Sequence, residues 1–244
     1  MAFERPFFEI GPKNHLRRPA LERLARAAGD AARDHDITVI LTVPTAMIAP
    51  IADLGTGVHV FAQDMALDPL GDSFGRVTAE SLVDAGAVGV MLNHDANPLT
   101  PVQLRASIHR ARDAGLHTIA CAGSEAEALL VTADHPSIVL YEPPELIGTT
   151  GSGPREWIGR VTASVREVNP AVRAMHAGGV STPEIARAIM AAGADGTGST
   201  SGILTANDPL EATHHFIEAA REGWNLAHAT PPSDTKNTIR EKQK

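Results

Sequence analysis

The chain has 244 residues, a formal net charge of −8, 43% hydrophobic residues and 4% aromatic residues. This length and apolar content suit one α/β barrel, and the acidic balance argues against a nucleic-acid partner, which demands a basic face. A single cysteine, Cys121, excludes an intrachain disulfide and favours a reducing cytoplasm. No apolar run approaches the ~20 residues that span a bilayer, so no membrane association is expected.

Eight short β-rich runs alternate with alanine-rich helical stretches along the chain. These runs are Phe7–Ile10, Ile37–Val43, His59–Ala62, Val88–Leu92, Thr118–Cys121, Ile138–Tyr141, Ala171–His176 and Asp195–Ser199. Such alternation predicts parallel strands joined by right-handed crossovers. Eight strands in this length favour a single closed (β/α)8 TIM barrel over an open doubly wound sheet. No G-x-G-x-x-G follows an early strand, so no dinucleotide cofactor is expected.

The helical stretches carry recognisable start and stop signals. Thr100 before Pro101 predicts the start of one helix, and Ser181 with Glu184 predicts a capping box at another. Alanine–glycine pairs such as Ala114-Gly115 and Ala192-Gly193 predict helix ends. We expect the barrel to occupy residues 1–224 and a polar, flexible tail to occupy residues 225–244, because residues 231–244 are almost devoid of apolar side chains.

Polar residues follow three of the predicted strands. Lys13 follows the first, Asn93 and His94 follow the fourth, and Glu142 follows the sixth. The active sites of α/β barrels lie at the carboxyl ends of the strands, so these side chains are expected to converge. Each alone is more often a solvated charge or a structural hydrogen bonder, but an ammonium, an imidazole and a carboxylate at one end of the barrel together indicate an active site. The histidines lack partners at ligand spacing, so no metal is expected.

Glycine-bearing loops supply a second predicted feature, an anion site. Gly148 lies beyond Glu142, Gly179 and Ser181 follow the seventh strand, and Ser201 with Gly202 follows the eighth. Glycine lets backbone N–H groups approach an anion closely, and the loops after strands seven and eight commonly hold phosphate in such barrels. Each of these glycines alone would be an ordinary turn residue, but together they predict a phosphate site.

Two longer runs resemble a known family. Tyr141–Thr149 (YEPPELIGT) is similar to the flexible-loop motif of triosephosphate isomerases in their short archaeal form, and Ala87–His94 (AVGVMLNH) is similar to the strand that bears their histidine. Smaller matches cover Phe61–Gln63, Cys121–Ala122, Gly179–Ser181 and Ser201–Gly202, and the resemblance extends over roughly residues 5–222. It implies a TIM barrel that interconverts an aldose and a ketose phosphate through an enediolate.

The resemblance also implies residue roles. Glu142 would be the base, His94 the electrophile, and Lys13 the group that holds the substrate anion; an isomerase of this family is itself the standard example of a glutamate base paired with a neutral histidine. Phosphate would meet Gly148, Gly179, Ser181, Ser201 and Gly202, while Gly11 and Asn93 would also contact substrate. Neither a metal nor a cofactor is implied, and the resemblance implies a homo-oligomer, a dimer or tetramer.

Four positions depart from the family pattern. Gly11 stands where the family has the asparagine of Asn-x-Lys, and Ala96 where it has the glutamate of Asn-His-Ser-Glu. Phe74 replaces the threonine of an interface loop, and Thr150 replaces a hinge glycine. Phe74 would either pack against a second copy of the chain or fold over its own barrel mouth.

These departures leave three functions open. The chain would be a triosephosphate isomerase with altered supporting residues, an isomerase of another phosphosugar such as a four-carbon one, or a catalytically weak paralogue that binds a phosphorylated metabolite. Retention of Glu142, His94 and Lys13 speaks against the third function.

Overall fold

The computed structural model describes residues 3–150 and 155–229, whose strands close into one parallel barrel. The strands are β1 (Phe7–Ile10), β2 (Thr38–Val43), β3 (His59–Ala62), β4 (Gly89–Leu92), β5 (His117–Ala122), β6 (Ile138–Tyr141), β7 (Arg173–His176) and β8 (Gly196–Ser199). Each strand pairs with the next, and β8 returns to β1 with Gly196 opposite Phe7. The predicted (β/α)8 TIM barrel is confirmed, and every predicted strand lies within two residues of its observed bounds.

Helices follow the strands and cover the outside of the barrel. They are α1 (Arg18–His35), α2 (Ile48–Ala52), α3 (Ala79–Asp84), α4 (Pro101–Asp113), α5 (Glu125–Thr132), α6 (Trp157–Val168), α7 (Pro183–Ala191), α8 (Ser201–Leu204) and α9 (Pro209–Ala227). One face of α1 is apolar and buried, including Leu21, Leu24 and Ala28. Two 3-10 turns, Thr45–Met47 and Pro144–Leu146, lie in the loops after β2 and β6.

One predicted helix start is confirmed and another is wrong. At α4, the Gln103 backbone N–H donates to the Thr100 hydroxyl at 3.3 Å, and the Gln103 side chain accepts from the Thr100 backbone N–H at 3.0 Å. At α7 the residue before the helix is Thr182, so the predicted Ser181–Glu184 box does not form. The Ser181 hydroxyl instead donates to the Thr150 carbonyl at 2.8 Å, and this bond holds the loop after β6.

Aromatic rings fill the interior of the barrel at the amino-terminal ends of the strands. A Cβ on Gly196 would lie 2.2 Å from the Phe7 ring, and one on Gly89 would lie 2.3 Å from the Phe61 ring. These two glycines are therefore required because no larger residue leaves room for the rings. The interior is closed at this end, and open space remains at the carboxyl ends of the strands.

A buried carboxylate ties the amino-terminal end of the barrel together. Asp195, immediately before β8, is fully buried, and its Oδ1 accepts from Arg5 at 3.0 Å and from Arg166 at 2.7 Å. Its Oδ2 accepts from the backbone N–H of Ala174 at 2.9 Å. Both oxygens are paired, as a buried charge requires, and the carboxylate links the N-terminal segment, α6, β7 and β8.

The chain remains helical slightly beyond the predicted end of the barrel. Helix α9 continues to Ala227, three residues past position 224. Residues 230–244, which make up most of the predicted polar tail, lie outside the described residues. Within the described part of the chain, no helix combines the length and the apolar content needed to cross a membrane.

Candidate active site

A cavity of about 640 Å³ opens at the carboxyl ends of the barrel strands. Residues that follow β1, β4, β6, β7 and β8 contribute to its wall. Among the predicted site residues, the structure places these on the wall: Gly11, Lys13, His94, Glu142, Gly148, Gly179 and Ser201. Loops that are far apart in sequence thus bring an ammonium, an imidazole and a carboxylate to one space.

A second hollow, of about 780 Å³, lies at the amino-terminal end of the barrel. Its arginines Arg5, Arg33, Arg173 and Arg221 all donate to oxygen atoms of the protein. These cations stabilise the fold through their existing bonds. The cavity at the carboxyl ends is therefore the candidate active site, as expected for an α/β barrel.

Glu142 is the first residue after β6. Its backbone N–H donates to the Ala122 carbonyl at 3.0 Å, which continues the strand pairing by one residue. The side chain passes over Gly178, where an added Cβ would lie 3.2 Å from the Glu142 Cγ. Burial raises the pKa of the Glu142 carboxyl above its ordinary value, while the ammonium of Lys13 opposes that rise. A carboxylate in this setting is a stronger base than a solvated one.

His94 lies in the loop after β4 with a defined tautomer. Its Nδ1 accepts a hydrogen bond of 3.0 Å from the backbone N–H of Ala96, so the neutral ring carries its proton on Nε2. Burial lowers the pKa of His94, and the nearby charge of Lys13 lowers it further. The ring is therefore neutral near pH 7 and offers Nε2–H as a donor.

Lys13 adopts a backbone conformation that is uncommon for a residue with a side chain. Its φ is +49°, in the left-handed region. The Gln63 side-chain amide donates to the Lys13 carbonyl at 2.9 Å and thereby supports this conformation. The positive charge of Lys13 lowers the pKa values of both His94 and Glu142.

The wall formed by the loops after β6, β7 and β8 is rich in exposed backbone. Gly148 and Gly179 line it with φ values of +72° and +60°, and Ser201 lines it at the start of α8. Residues without side chains leave their N–H groups accessible, and such groups bind anions well. This part of the cavity is suited to a phosphate group.

Three predicted contact residues, Asn93, Ser181 and Gly202, do not line the cavity in the described part of the chain. The Asn93 side chain donates to the Cys121 carbonyl at 2.9 Å and accepts from the Leu99 backbone N–H at 2.8 Å. Its amide is thus used to shape the loop that carries His94. A Cβ on Gly202 would lie 2.7 Å from the Phe216 ring, so this glycine serves helix packing.

Sequence reasoning missed Glu9, which lies within β1 and lines the cavity. Its side chain is buried, and the Thr42 hydroxyl donates to its Oε1 at 2.6 Å. The available signal was a lone acidic residue in an otherwise apolar barrel strand, two positions before Gly11. A charged residue buried in a strand needs a partner or a function.

Arg155, just before α6, was also missed. Its guanidinium donates to the Ala177 carbonyl at 3.0 Å and to the Gly178 carbonyl. It thereby supports the loop after β7, and its charge counteracts the rise in the pKa of Glu142. No spacing in the sequence reveals this role, because its partners are backbone atoms more than 20 positions away.

In the described ranges, 3–150 and 155–229, no group of three or more histidine, cysteine, aspartate or glutamate side chains is arranged to hold a metal ion.

The chain is similar to known proteins over most of its length. The family model described as triosephosphate isomerase matches residues 13–220. The triosephosphate isomerase of Methanopyrus kandleri is 32% identical over 199 residues, which cover 80% of this chain and 88% of that protein. The triosephosphate isomerase of Halobacterium salinarum is 33% identical over 164 residues, which cover 66% of this chain and 76% of that protein.

The barrel also matches a solved structure. The crystal structure of triosephosphate isomerase from Bartonella henselae superposes with a TM-score of 0.68 and 20% identity, covering 89% of this chain and 100% of that one. At this identity the match shows the common fold. The family-model match and the sequence relatives go further and confirm the resemblance seen in the sequence: the chain belongs to the triosephosphate isomerase family, in its archaeal-like form.

Proposed function

We propose that this protein is an aldose–ketose isomerase that acts on a small phosphorylated sugar. Membership of the triosephosphate isomerase family supports this reaction type. The observation that carries the proposal is the placement of Glu142, His94 and Lys13 on the wall of one cavity. A base, a neutral donor and a cation are the groups that an enediolate mechanism needs.

Glu142 transfers the proton. Its carboxylate takes the hydrogen from the carbon beside the carbonyl group, and the C–H electron pair forms the carbon–carbon double bond of the enediolate. Glu142 then delivers a proton to the neighbouring carbon, and a proton passes from the hydroxyl oxygen to the former carbonyl oxygen, so the reaction is redox-neutral overall. Burial raises the pKa of Glu142, which suits a group that must both accept and release a proton near neutral pH.

His94 and Lys13 stabilise the charge that develops on oxygen. The Nε2–H of neutral His94 donates to the carbonyl oxygen, and the ammonium of Lys13 neutralises the enediolate. Both act most strongly on the intermediate, because that is where the negative charge is greatest, and this difference lowers the barrier.

Phosphate is held by backbone N–H groups around Gly148, Gly179 and Ser201. This wall lies on the same cavity as the base, so a bound phosphate would place the sugar carbons beside Glu142. Binding energy from the phosphate, which does not react, helps to position the reacting carbons. The role of phosphate distinguishes this protein from an isomerase of free sugars.

The substrate is a phosphosugar of three to five carbons, and the departures at Gly11 and Ala96 favour a change of specificity within that range. The decisive experiment is a coupled isomerase assay across three-, four- and five-carbon aldose and ketose phosphates, with Glu142→Asp as the control. Isomerisation of at least one sugar, lost or strongly reduced in the control variant, is expected. A chain that binds these sugars without converting any of them would instead be a catalytically weak paralogue.

The protein forms a homo-oligomer, a dimer or tetramer, through the loop between β3 and α3. Phe74 in this loop is 99% exposed and Leu70 is 68% exposed, which is costly for apolar side chains at one site unless a second copy covers them. Phe74 does not fold over its own barrel mouth at this exposure. The single, buried Cys121 is compatible with a reducing cytoplasm as the place of action.

A further inference from the structure

Glu9 brings a second carboxyl group into the cavity. In β1, side chains alternate between the two faces of the strand, so Glu9 shares its face with Phe7 and Gly11. Phe7 packs in the barrel interior, and both Glu9 and Gly11 line the cavity. Glu9 is only 6% exposed, so its small accessible surface faces the space in which a substrate would lie.

Two glycines make room for the carboxyl group. A Cβ on Gly11 would lie 2.9 Å from Oε1 and 3.5 Å from Oε2 of Glu9, and a Cβ on Gly198 would lie 3.0 Å from Oε2. Glu9 therefore occupies the volume that a side chain at position 11 would fill. In the family that this chain resembles, position 11 is an asparagine. The carboxyl group of Glu9, two residues earlier in β1, therefore takes the place of the missing amide.

The hydrogen bond to Glu9 defines which of its oxygens is available. The Thr42 hydroxyl donates to Oε1 at 2.6 Å. As long as this bond is kept, the proton of a neutral Glu9 lies on Oε2, because an oxygen that accepts in this way is the carbonyl oxygen of the acid. Oε2 lies between Gly11 and Gly198, both of which line the cavity. A protonated Glu9 thus presents an O–H donor to a molecule bound there.

The surroundings of Glu9 favour the neutral form. Burial raises the pKa of Glu9 to about 7, and the negative charge of Glu142 adds to the rise, while the Thr42 hydrogen bond and the Lys13 charge oppose it. Cys121 on β5 also interacts with Glu9, but burial raises the pKa of its thiol well above the ordinary value, so this group stays neutral. Near pH 7 a large fraction of Glu9 is therefore protonated.

Resting on the proposed isomerase function, we propose that Glu9 is a further catalytic residue whose protonated carboxyl group donates a hydrogen bond, through Oε2–H, to the substrate oxygen that becomes negative in the enediolate. Donors already fixed beside a developing charge lower the barrier without reorganising during the reaction. A carboxyl group kept neutral by its surroundings is a known form of such a donor. Glu9 keeps its proton throughout, so Glu142 remains the base.

Three variants of the full chain test this role in steady-state kinetics with the sugar that the wild type converts fastest. Glu9→Ala removes the donor and should lower kcat by about 100-fold. Glu9→Gln replaces it with an amide donor of the same shape and should keep kcat within about 5-fold of wild type. This decrease is much smaller than the one expected when the donor is removed. Glu218→Gln, on the exposed face of α9, is the matched control and should not change the rate.

The pH profile separates a donor from a structural residue. Wild-type kcat should fall as pH rises through about 7, because Glu9 loses its proton there. Glu9→Gln should lack this decline, since an amide does not titrate. Melting temperatures of all variants show whether they are folded. If folded Glu9→Ala retains the wild-type rate, or if Glu9→Gln keeps the wild-type pH profile, the proposal is overturned.

A double variant tests the exchange of side chains directly. Gly11→Asn alone should be impaired, because its Cβ would collide with Oε1 of Glu9. The double variant Gly11→Asn with Glu9→Ala should have a kcat at least about 10-fold higher than that of Glu9→Ala alone, because an amide donor returns to the same space. Absence of recovery in a folded double variant contradicts the shared position.

The wild-type assay separates failure of this inference from failure of the proposed function. A wild type that converts no phosphosugar overturns the isomerase function as well. An active wild type whose rate is unchanged by Glu9→Ala overturns only this inference.

Discussion

The backbone N–H of Ala96 donates a hydrogen bond of 3.0 Å to Nδ1 of His94. Ala96 is the position at which the family pattern has a glutamate, and its side chain is therefore lost here. The tautomer of His94 does not depend on that side chain, because a main-chain group sets it. The loss of the carboxylate thus leaves the proposed electrophile with its proton on Nε2.

His94→Gln should lower kcat by about 100-fold, because it removes a donor to the developing oxyanion. The measurement is the isomerase rate with the best sugar of the panel. His109→Gln, an exposed position on α4, is the control and should match wild type. Equal rates for the two variants would show that His94 is not the electrophile.

Glu142→Gln should lower kcat by at least about 100-fold, since general base catalysis commonly contributes this much. Glu145→Gln changes an exposed carboxylate in the same loop and serves as the matched control. Exchange of substrate hydrogen with deuterated water should disappear together with the rate. A Glu142→Gln variant that still exchanges hydrogen at the wild-type rate would assign the base to another residue.

Removal of the phosphate from the substrate should lower kcat as well as raise KM, because the remote binding energy positions the reacting carbons. Ser201→Ala should cost much less than loss of the phosphate, since backbone N–H groups supply most of the contacts. Both comparisons use the same coupled assay. Equal turnover of the free sugar and its phosphate would refute the phosphate site at Gly148, Gly179 and Ser201.

Phe74→Asp should convert the oligomer to monomers, because a charge buried without a partner in an interface is strongly unfavourable. Sedimentation velocity on the wild type and the variant measures this change. Val102→Asp, at an 80% exposed position on α4, places the same charge elsewhere and should leave the assembly unchanged. A wild type that is monomeric at working concentration removes the interface role of Phe74.

The stability of the fold should decrease in mild acid because of His176. This histidine on β7 is buried, and burial lowers its pKa to about 3, well under the ordinary value of 6.5. Below pH 6.5 the unfolded chain takes up a proton that the folded chain does not, so stability falls as pH drops from 6.5 towards 3. This group alone should lower the free energy of unfolding by about 2 kcal/mol between pH 7 and pH 5.

Urea denaturation at the two pH values measures that loss. His176→Gln should show a smaller pH dependence than wild type, even if its stability at pH 7 is lower, because the titrating group is gone. His215→Gln, at an exposed position on α9, should retain the wild-type dependence. An unchanged pH dependence in His176→Gln would mean that other groups cause the acid sensitivity.

The barrel was predictable because its signals are local. The β-rich runs, the glycines after helices and the Thr100–Pro101 start depend on neighbours in the chain, and the structure agrees with them closely. The start of α7 differs from the prediction. Ser181 had the spacing of a capping residue, but a carbonyl group from the loop after β6 competes for its hydroxyl. Only the folded chain brings these two loops together.

The placement of Lys13, His94 and Glu142 followed from the sequence, because every parallel barrel strand delivers the residue after it to the same end of the barrel. What each side chain does there depends on the tertiary structure. Asn93 was expected to contact substrate, but its side chain is hydrogen-bonded to the backbone of Cys121 and Leu99. Arg155 supports the loop after β7, which is distant from it in sequence. Glu9 was taken for part of an apolar strand, yet Gly11, Gly198 and Thr42 give its carboxyl group space and a partner. Burial and hydrogen bonding set the charge of a side chain, and both arise from residues that are remote in sequence and adjacent only after folding.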